Sequence, residues 1–106
     1  MTTSYNYARL DGTIDNEPKE ITTDKSTFTT FSVLTKIENS TDWHKVLVFD
    51  TNNIVYANGA ELEKGTKVRV DGYISNRYRE IKDDNGKVIA KVKETSIIAN
   101  KVFVGI

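Results

Sequence analysis

The sequence predicts an all-β domain with one short helix, folded as a five-stranded Greek-key barrel with a protruding β-hairpin arm. Three observations lead to this prediction. Segments that alternate apolar and polar residues recur along the 106-residue chain, and this is the pattern of half-buried strands. Glycines stand inside two of these segments, where they permit sharp bends. An Asp-Asp-Asn-Gly sequence at 83–86 indicates a hairpin late in the chain. Bent strands of this kind favour a small closed barrel.

Three strands are predicted in the first half of the chain. The first covers Tyr7–Ile14, and Gly12 marks a bulge or bend within it. Asn16-Glu17-Pro18 then begins a turn. The second strand covers Thr27–Lys36, which is rich in Thr, Phe and Val, and the third covers Thr41–Phe49.

The segment that follows predicts a short helix. Thr51-Asn52-Asn53 is typical of a helix N-terminus, and Lys64-Gly65 is typical of a helix end. Gly59 lies between them and lowers the helix propensity, so we expect the helix to be short.

The second half returns to strands. Thr66–Ser75 alternates strongly, and Gly72 within it again indicates curvature. The hairpin signal joins Arg77–Lys82 to Lys87–Lys93, which together form the predicted arm. Ser96–Val104 is the last predicted strand.

Composition excludes several classes of chemistry. The chain has no cysteine and one histidine, which excludes disulfides, thiolate chemistry and a Cys/His zinc site. We find no phosphate-binding loop and no convincing catalytic triad. The sequence shows no secretory signal and no apolar run long enough to span a membrane. We therefore expect one cytoplasmic domain over residues 1–106 that is not an enzyme, with no metal, no cofactor, no small-molecule substrate and no membrane partner.

Charge is distributed unevenly although the formal net charge is zero. Residues 1–63 carry five Lys/Arg and ten Asp/Glu, a balance of −5, whereas residues 64–106 carry ten Lys/Arg and five Asp/Glu, a balance of +5. Such asymmetry is a hint of a surface that binds a polyanion.

The strand at 41–49 carries the strongest indication of function. Alternation places Trp43, Lys45, Leu47 and Phe49 on one face. Two flat rings beside a cation suit an unpaired base and its phosphate, since every base has a face on which to stack. The alternative is a strand that is buried on both faces, with Trp43 as a core anchor.

The predicted arm is a second candidate surface. Tyr78 lies between Arg77 and Arg79, and lysines follow on both sides of the hairpin. Lysines attract phosphates without sequence preference, and arginines can also stack on bases. The alternative is a solvated hairpin whose lysines prevent edge-to-edge aggregation. The full predicted binding surface is Trp43, Lys45, Phe49, Arg69, Tyr73, Arg77, Tyr78, Arg79, Lys87, Lys91 and Lys93.

Four stretches of the chain together resemble the bacterial-type single-stranded DNA-binding proteins, the SSB family of OB-folds. They lie at 6–14, 31–34, 42–49 and 62–72. Their most specific feature is Trp-His-Lys-Val-x-Val-Phe followed by Leu-x-Lys-Gly-x-x-Val-x-Val-x-Gly. The resemblance implies sequence-nonspecific binding of single-stranded DNA in replication, recombination or repair, with bases stacked on Trp43 and Phe49.

The resemblance also implies a homo-oligomer. A tetramer is the family norm, and a dimer is the alternative. The family's first strand pairs with its copy in a second subunit, which here would involve Tyr7 and Arg9, and His44 would lie at a subunit interface. Without the family, a lone histidine on an apolar face is more often a satisfied core residue.

Three departures from the family pattern stand out. The tryptophan usual after the second strand has no counterpart here, and the tryptophan usual in the arm is replaced by Tyr78. The chain ends at Ile106 without the family's flexible linker and acidic tip. We therefore expect either a trimmed binding domain or a compact version from a phage, plasmid or mobile element, acting in the cytoplasm at the nucleoid or in an infected host.

Two other functions remain open. One is an OB-fold assembly subunit of primosomal type with weak DNA affinity, which the zero net charge and the missing tryptophans favour. The other is binding of single-stranded RNA, because base stacking does not distinguish RNA, which has a 2′-hydroxyl group, from DNA.

Overall fold

A computed structural model describes residues 4–57 and 61–105. Within these residues the chain forms strands joined by tight turns and one helical turn. The elements are β1 (Ala8–Ile14), β2 (Lys19–Thr22), β3 (Thr27–Ile37), β4 (Ser40–Val48), α1 (Thr51–Ile54), β5 (Val55–Tyr56), β6 (Lys67–Lys82) and β7 (Val88–Val104).

Five of these strands close into a barrel. Their order around it is β1-β6-β7-β4-β3, and β3 returns to β1 through the pairs Thr13–Leu34 and Ile14–Val33. The β4–β7 pairing is parallel, and the other pairings around the barrel are antiparallel. The predicted five-stranded Greek-key barrel is therefore confirmed. It is the architecture of an OB-fold.

The core lies inside this barrel and is formed by the inward-facing residues of its strands. Val46 and Val48 of β4 are fully buried, on the face opposite Trp43 and Lys45. They pack with inward-facing side chains from the other four strands. The most deeply buried of these are Ile14, Phe31, Val33, Val68, Val70, Val102 and Val104.

Two glycines lie where the backbone of a neighbouring strand approaches closely. A Cβ atom on Gly12 would collide with the carbonyl oxygen of Leu34, at the point where β1 passes from β6 to β3. A Cβ atom on Gly72 would collide with the carbonyl oxygen of Ile98, beside a shift in the β6–β7 register. Both positions need glycine because another backbone approaches closely.

The structure differs from the sequence prediction at β2 and at the helix. No strand was predicted at β2, which is exposed throughout and pairs only with β3. The predicted helix ends at Ile54, and its N-cap is Asp50 instead of a residue at 51–53. Val55 and Tyr56 instead pair with β7, so tertiary pairing overrides local helical spacing there. Gly59, which we expected to weaken the helix, lies outside the described residues.

The arm is a direct extension of the barrel. β6 and β7 run without interruption from the core to the turn at 83–87, so the segments predicted as separate core and arm strands are continuous. Gly86 has a φ of +82°, but Asn85 does not have the positive φ that a two-residue Asn-Gly turn requires. Instead Oδ1 of Asp83 accepts hydrogen bonds from the N–H groups of Asn85 and Lys87, at 2.9 Å each.

No helix among the described residues has the length and apolar character needed to cross a bilayer.

Candidate nucleic-acid interface

The outer surface of β4 carries two exposed rings with a lysine between them. Trp43 is 63% exposed and Phe49, directly after the strand, is 41% exposed, while Lys45 is also exposed. Leu47 shares this side but is buried, because β3 and β7 flank it closely through Thr30 and Ile98. The structure therefore places Trp43 outside the core.

A further aromatic residue joins this surface. The ring centroids of Phe28 and Phe49 are 5.2 Å apart, and the rings are tilted by 42°. Phe28 lies on β3 opposite Ile21 of β2, and it points away from the core that contains Phe31. The sequence prediction omitted Phe28, although strand alternation from the buried Phe31 indicates its outward direction.

The same outer side continues across the barrel to β6. Tyr73 lies opposite Ile98 of β7, which in turn lies opposite Leu47 of β4. Tyr73 is 40% exposed. We call the surface formed by Phe28, Trp43, Lys45, Phe49 and Tyr73 the aromatic face.

Two of the predicted cations already have acidic partners. Nε of Arg69 is 2.7 Å from Oδ1 of Asp11, and Nε of Arg79 is 2.9 Å from Oε1 of Glu94. Arg69 also stands four residues along β6 from Tyr73, about 13 Å at strand spacing. It therefore lies away from Tyr73 along β6.

The arm divides the remaining predicted residues between its two sides. Alternation along β6 puts Arg77 and Arg79 on the same side as Tyr73, and Tyr78 on the opposite side. Tyr78 is therefore adjacent to these arginines in the sequence but lies on the other side of the arm. Tyr78 instead lies opposite Lys93 of β7. Lys91 shares that side, and Lys87 lies at the turn.

Among the described residues, no group of three or more His, Asp and Glu side chains could hold a metal ion.

The sequence pattern of the single-strand binding protein family matches residues 5–104. The chain belongs to this family. No curated protein sequence matches the chain.

Solved structures of SSB-family and related proteins share the fold. A Plasmodium falciparum SSB in complex with single-stranded DNA is 25% identical and has a TM-score of 0.72; the alignment covers 98% of this chain and 96% of that one. The mitochondrial single-stranded DNA-binding protein Rim1 of S. cerevisiae is 19% identical with a TM-score of 0.67, and 94% of each chain is covered.

A third similar structure is a dimer. It is the N-terminal domain of the PriB protein from Thermoanaerobacter tencongensis, which is 15% identical with a TM-score of 0.65. The alignment covers 93% of this chain and 94% of that one. At this identity the likeness establishes the fold alone.

Two of the three residues predicted from the SSB family to lie at an oligomer interface are found at β1: Arg9 on the strand and Tyr7 directly before it. Nε of Arg9 is 2.8 Å from Oδ1 of Asp71, which also accepts a hydrogen bond of 3.2 Å from the hydroxyl of Tyr7. The hydrogen bond from Arg9 lowers the pKa of Asp71, and the same interaction raises the pKa of Arg9.

His44 is half-buried, and its Nε2 shares a hydrogen bond of 2.9 Å with the hydroxyl of Thr35. An open groove between β1 and the β3–β4 hairpin is lined by His44, Arg9 and Leu10, among others. The structure thus brings Arg9 and His44 to one groove.

Proposed function

We propose that this chain binds single-stranded DNA without sequence preference, with bases stacked on the aromatic face. The observation that carries the proposal is the pair of exposed rings, Trp43 and Phe49, with Lys45 between them on a barrel strand of an SSB-family protein. Stacking on aromatic rings tolerates any base, and a lysine adds attraction to phosphate. The proposed setting is DNA replication, recombination or repair in the cytoplasm, as a binding protein without catalytic activity.

The proposed DNA contacts follow from where the side chains lie. Trp43, Phe49 and Tyr73 would stack on bases, with Phe28 supporting the ring of Phe49. Lys45 and Arg77 would contact phosphates along this face. Tyr78, Lys87, Lys91 and Lys93 would contribute only where the strand passes around the arm to its other side. Arg69 and Arg79 would contribute less, because each is already paired with a carboxylate.

Trp43 supplies the test, since it is the chain's one tryptophan. We expect oligo-dT to quench its fluorescence, and the affinity to fall steeply as salt rises because bound phosphates release counterions. The variant Phe49→Ala should weaken binding. The matched control is Tyr56→Ala, which removes a ring of similar exposure that stacks on Phe103 away from the aromatic face. Unchanged Trp43 emission at low salt and saturating oligo-dT would contradict the proposal.

We also propose a homo-oligomer formed through β1. Ala8–Gly12 pairs with β6 along one edge, and pairing with β3 begins only at Thr13, so within residues 4–57 and 61–105 the second edge of this part of β1 is open. An open edge can pair with a strand of another chain. Analytical ultracentrifugation with and without oligo-dT tests this proposal; a tetramer or a dimer supports it, and a monomer at all concentrations contradicts it.

An assembly subunit with weak DNA affinity is the second candidate function. The ion pairs of Arg69 and Arg79 and the zero net charge favour it, because they reduce the charge available to phosphates. Such a protein would form a stable oligomer or partner complex but would retain little single-stranded DNA in a gel shift.

Competition between matched DNA and RNA oligomers separates DNA binding from RNA binding.

A further inference from the structure

The indole of Trp43 is tied to a neighbouring carboxylate. Its Nε1–H donates a hydrogen bond to Oδ2 of Asp15, and the two atoms are 2.8 Å apart. Hydrogen bonds with a charged acceptor are among the stronger kinds. Because Trp43 is 63% exposed, water could satisfy this donor. The bond is therefore not required to compensate burial, and its main effect is to fix where the ring lies.

Asp15 is held firmly enough to fix the ring. Its own N–H donates to the carbonyl of Ser32 at 2.9 Å, and the N–H of Ser32 donates to Oδ1 of Asn16 at 2.8 Å. The preceding residue, Ile14, is buried in the core and bonded through both backbone groups to the loop before β6. The backbone is thus anchored at Ile14 and at Asp15 itself, and the next residue, Asn16, is held through its side chain.

The hydrogen bond to Asp15 determines where the Trp43 ring lies on the barrel. Thr13, Leu34 and Trp43 form one row across β1, β3 and β4, and Asp15 follows Thr13 by two residues. To reach Asp15, the indole must extend from β4 across β3. The hydrogen bond then fixes the direction of the Nε1–H edge, and 63% of the residue's surface stays exposed for a base to contact.

A carboxylate beside a surface that binds a polyanion opposes binding, so a compensating role is needed to account for it. We propose that Asp15 is a positioning residue for single-stranded DNA binding, which holds the Trp43 ring in one position on the aromatic face before a base arrives. This inference rests on the proposed function. A ring that is ordered in the free protein loses less freedom on binding, and the ordering of one side chain corresponds to about two- to tenfold in affinity.

The free protein provides the first test. Its single tryptophan gives one indole N–H resonance in a ¹⁵N-edited NMR spectrum. We expect Asp15→Ala to shift this resonance and to lower the fluorescence anisotropy of Trp43. Asp15→Asn should preserve most of both signals, because the amide oxygen can still accept the hydrogen bond. Thermal unfolding of each variant establishes that it is folded.

Binding of fluorescently labelled oligo-dT provides the second test. We expect Asp15→Ala to bind about two- to tenfold more weakly than the wild type, although it removes a repelling charge. Asp15→Asn should bind as tightly as the wild type or more tightly. The matched control Glu17→Ala removes the same charge from the same exposed loop and should not weaken binding.

A double-mutant cycle separates the effect of the Trp43–Asp15 hydrogen bond on affinity from other effects of removing Asp15. Trp43→Phe keeps a ring but has no N–H to donate, so Asp15→Ala should not weaken binding in that background. Equal weakening in both backgrounds would overturn the inference, as would wild-type affinity of Asp15→Ala. If the wild type itself fails to bind oligo-dT, the proposed function falls and this inference falls with it. If the wild type binds and Asp15→Ala binds equally well, only the inference falls.

Discussion

The exposed ring of Trp43 should matter more for binding than for folding. A fully buried aromatic side chain covers about 150–250 Å², and Trp43 is 63% exposed, so truncation removes only about a third of that buried area. At about 25 cal/mol per Å², Trp43→Ala should destabilise the fold by about 1–2 kcal/mol. A domain of this kind has about 5–15 kcal/mol of stability, so the variant should remain folded. By comparison, Phe31→Ala in the core should cost about 3–5 kcal/mol.

The effect of Trp43→Ala on affinity should be larger. A stacked base is worth about 1–3 kcal/mol, so the dissociation constant for oligo-dT should rise about 5- to 150-fold. Titration of labelled oligo-dT at several salt concentrations measures both affinity and its salt slope. Trp43→Ala should leave the slope unchanged, whereas Lys45→Ala should reduce it by about 0.7 for each phosphate that Lys45 neutralises in the wild type. Wild-type affinity in a folded Trp43→Ala variant would show that bases do not stack on this ring.

Three further outcomes are expected from the interactions of Gly72, Asp71 and Arg79. Gly72→Ala should lower the free energy of unfolding by about 1–3 kcal/mol in urea titrations, because a Cβ collides with the opposite strand; wild-type stability would contradict this. The pKa of Asp71 is lowered by its hydrogen bond from Arg9. The stabilisation by this pair is therefore present above the unfolded pKa of about 3.9 and is lost as pH falls through the folded pKa. The free energy of unfolding of the wild type should exceed that of Asp71→Asn at neutral pH, and the difference should shrink below about pH 4. Glu94→Ala should release Arg79 and steepen the salt slope of binding by about 0.7 if Arg79 gains one phosphate; an unchanged slope would mean that Arg79 stays off the DNA.

Strand alternation accounts for the parts of the fold that the sequence predicts well. The second predicted strand, Thr27–Lys36, differs from β3 by one residue, because every second side chain there faces the core. β2 has no buried residue, and only its pairing with β3 makes it a strand. The helical spacing after Thr51 was misleading, because Val55 and Tyr56 gain more from pairing with β7 than from extending the helix.

Alternation also accounts for part of the candidate site. The outward position of Trp43 beside Lys45 follows from a period of two along one strand. Because β6 was divided into two predicted strands, the alternation from Tyr73 was not carried into the arm, where Tyr78 lies on the other side from Arg77 and Arg79. The bond between Trp43 and Asp15 could not be predicted, since it depends on how three strands are aligned.

The continuity of β6 and β7 has a mechanical consequence. The arm continues the barrel strands, because pairing runs from Val68–Val104 to Lys82–Val88 and its register shifts only between Asp71 and Gly72 and between Ile81 and Lys82. We therefore expect the arm to keep one orientation relative to the barrel, set by the direction in which β6 and β7 leave it. Proteases that cut mobile hairpins should leave the arm intact. A force applied at its tip should be transmitted to β6 and β7, which also enclose the core.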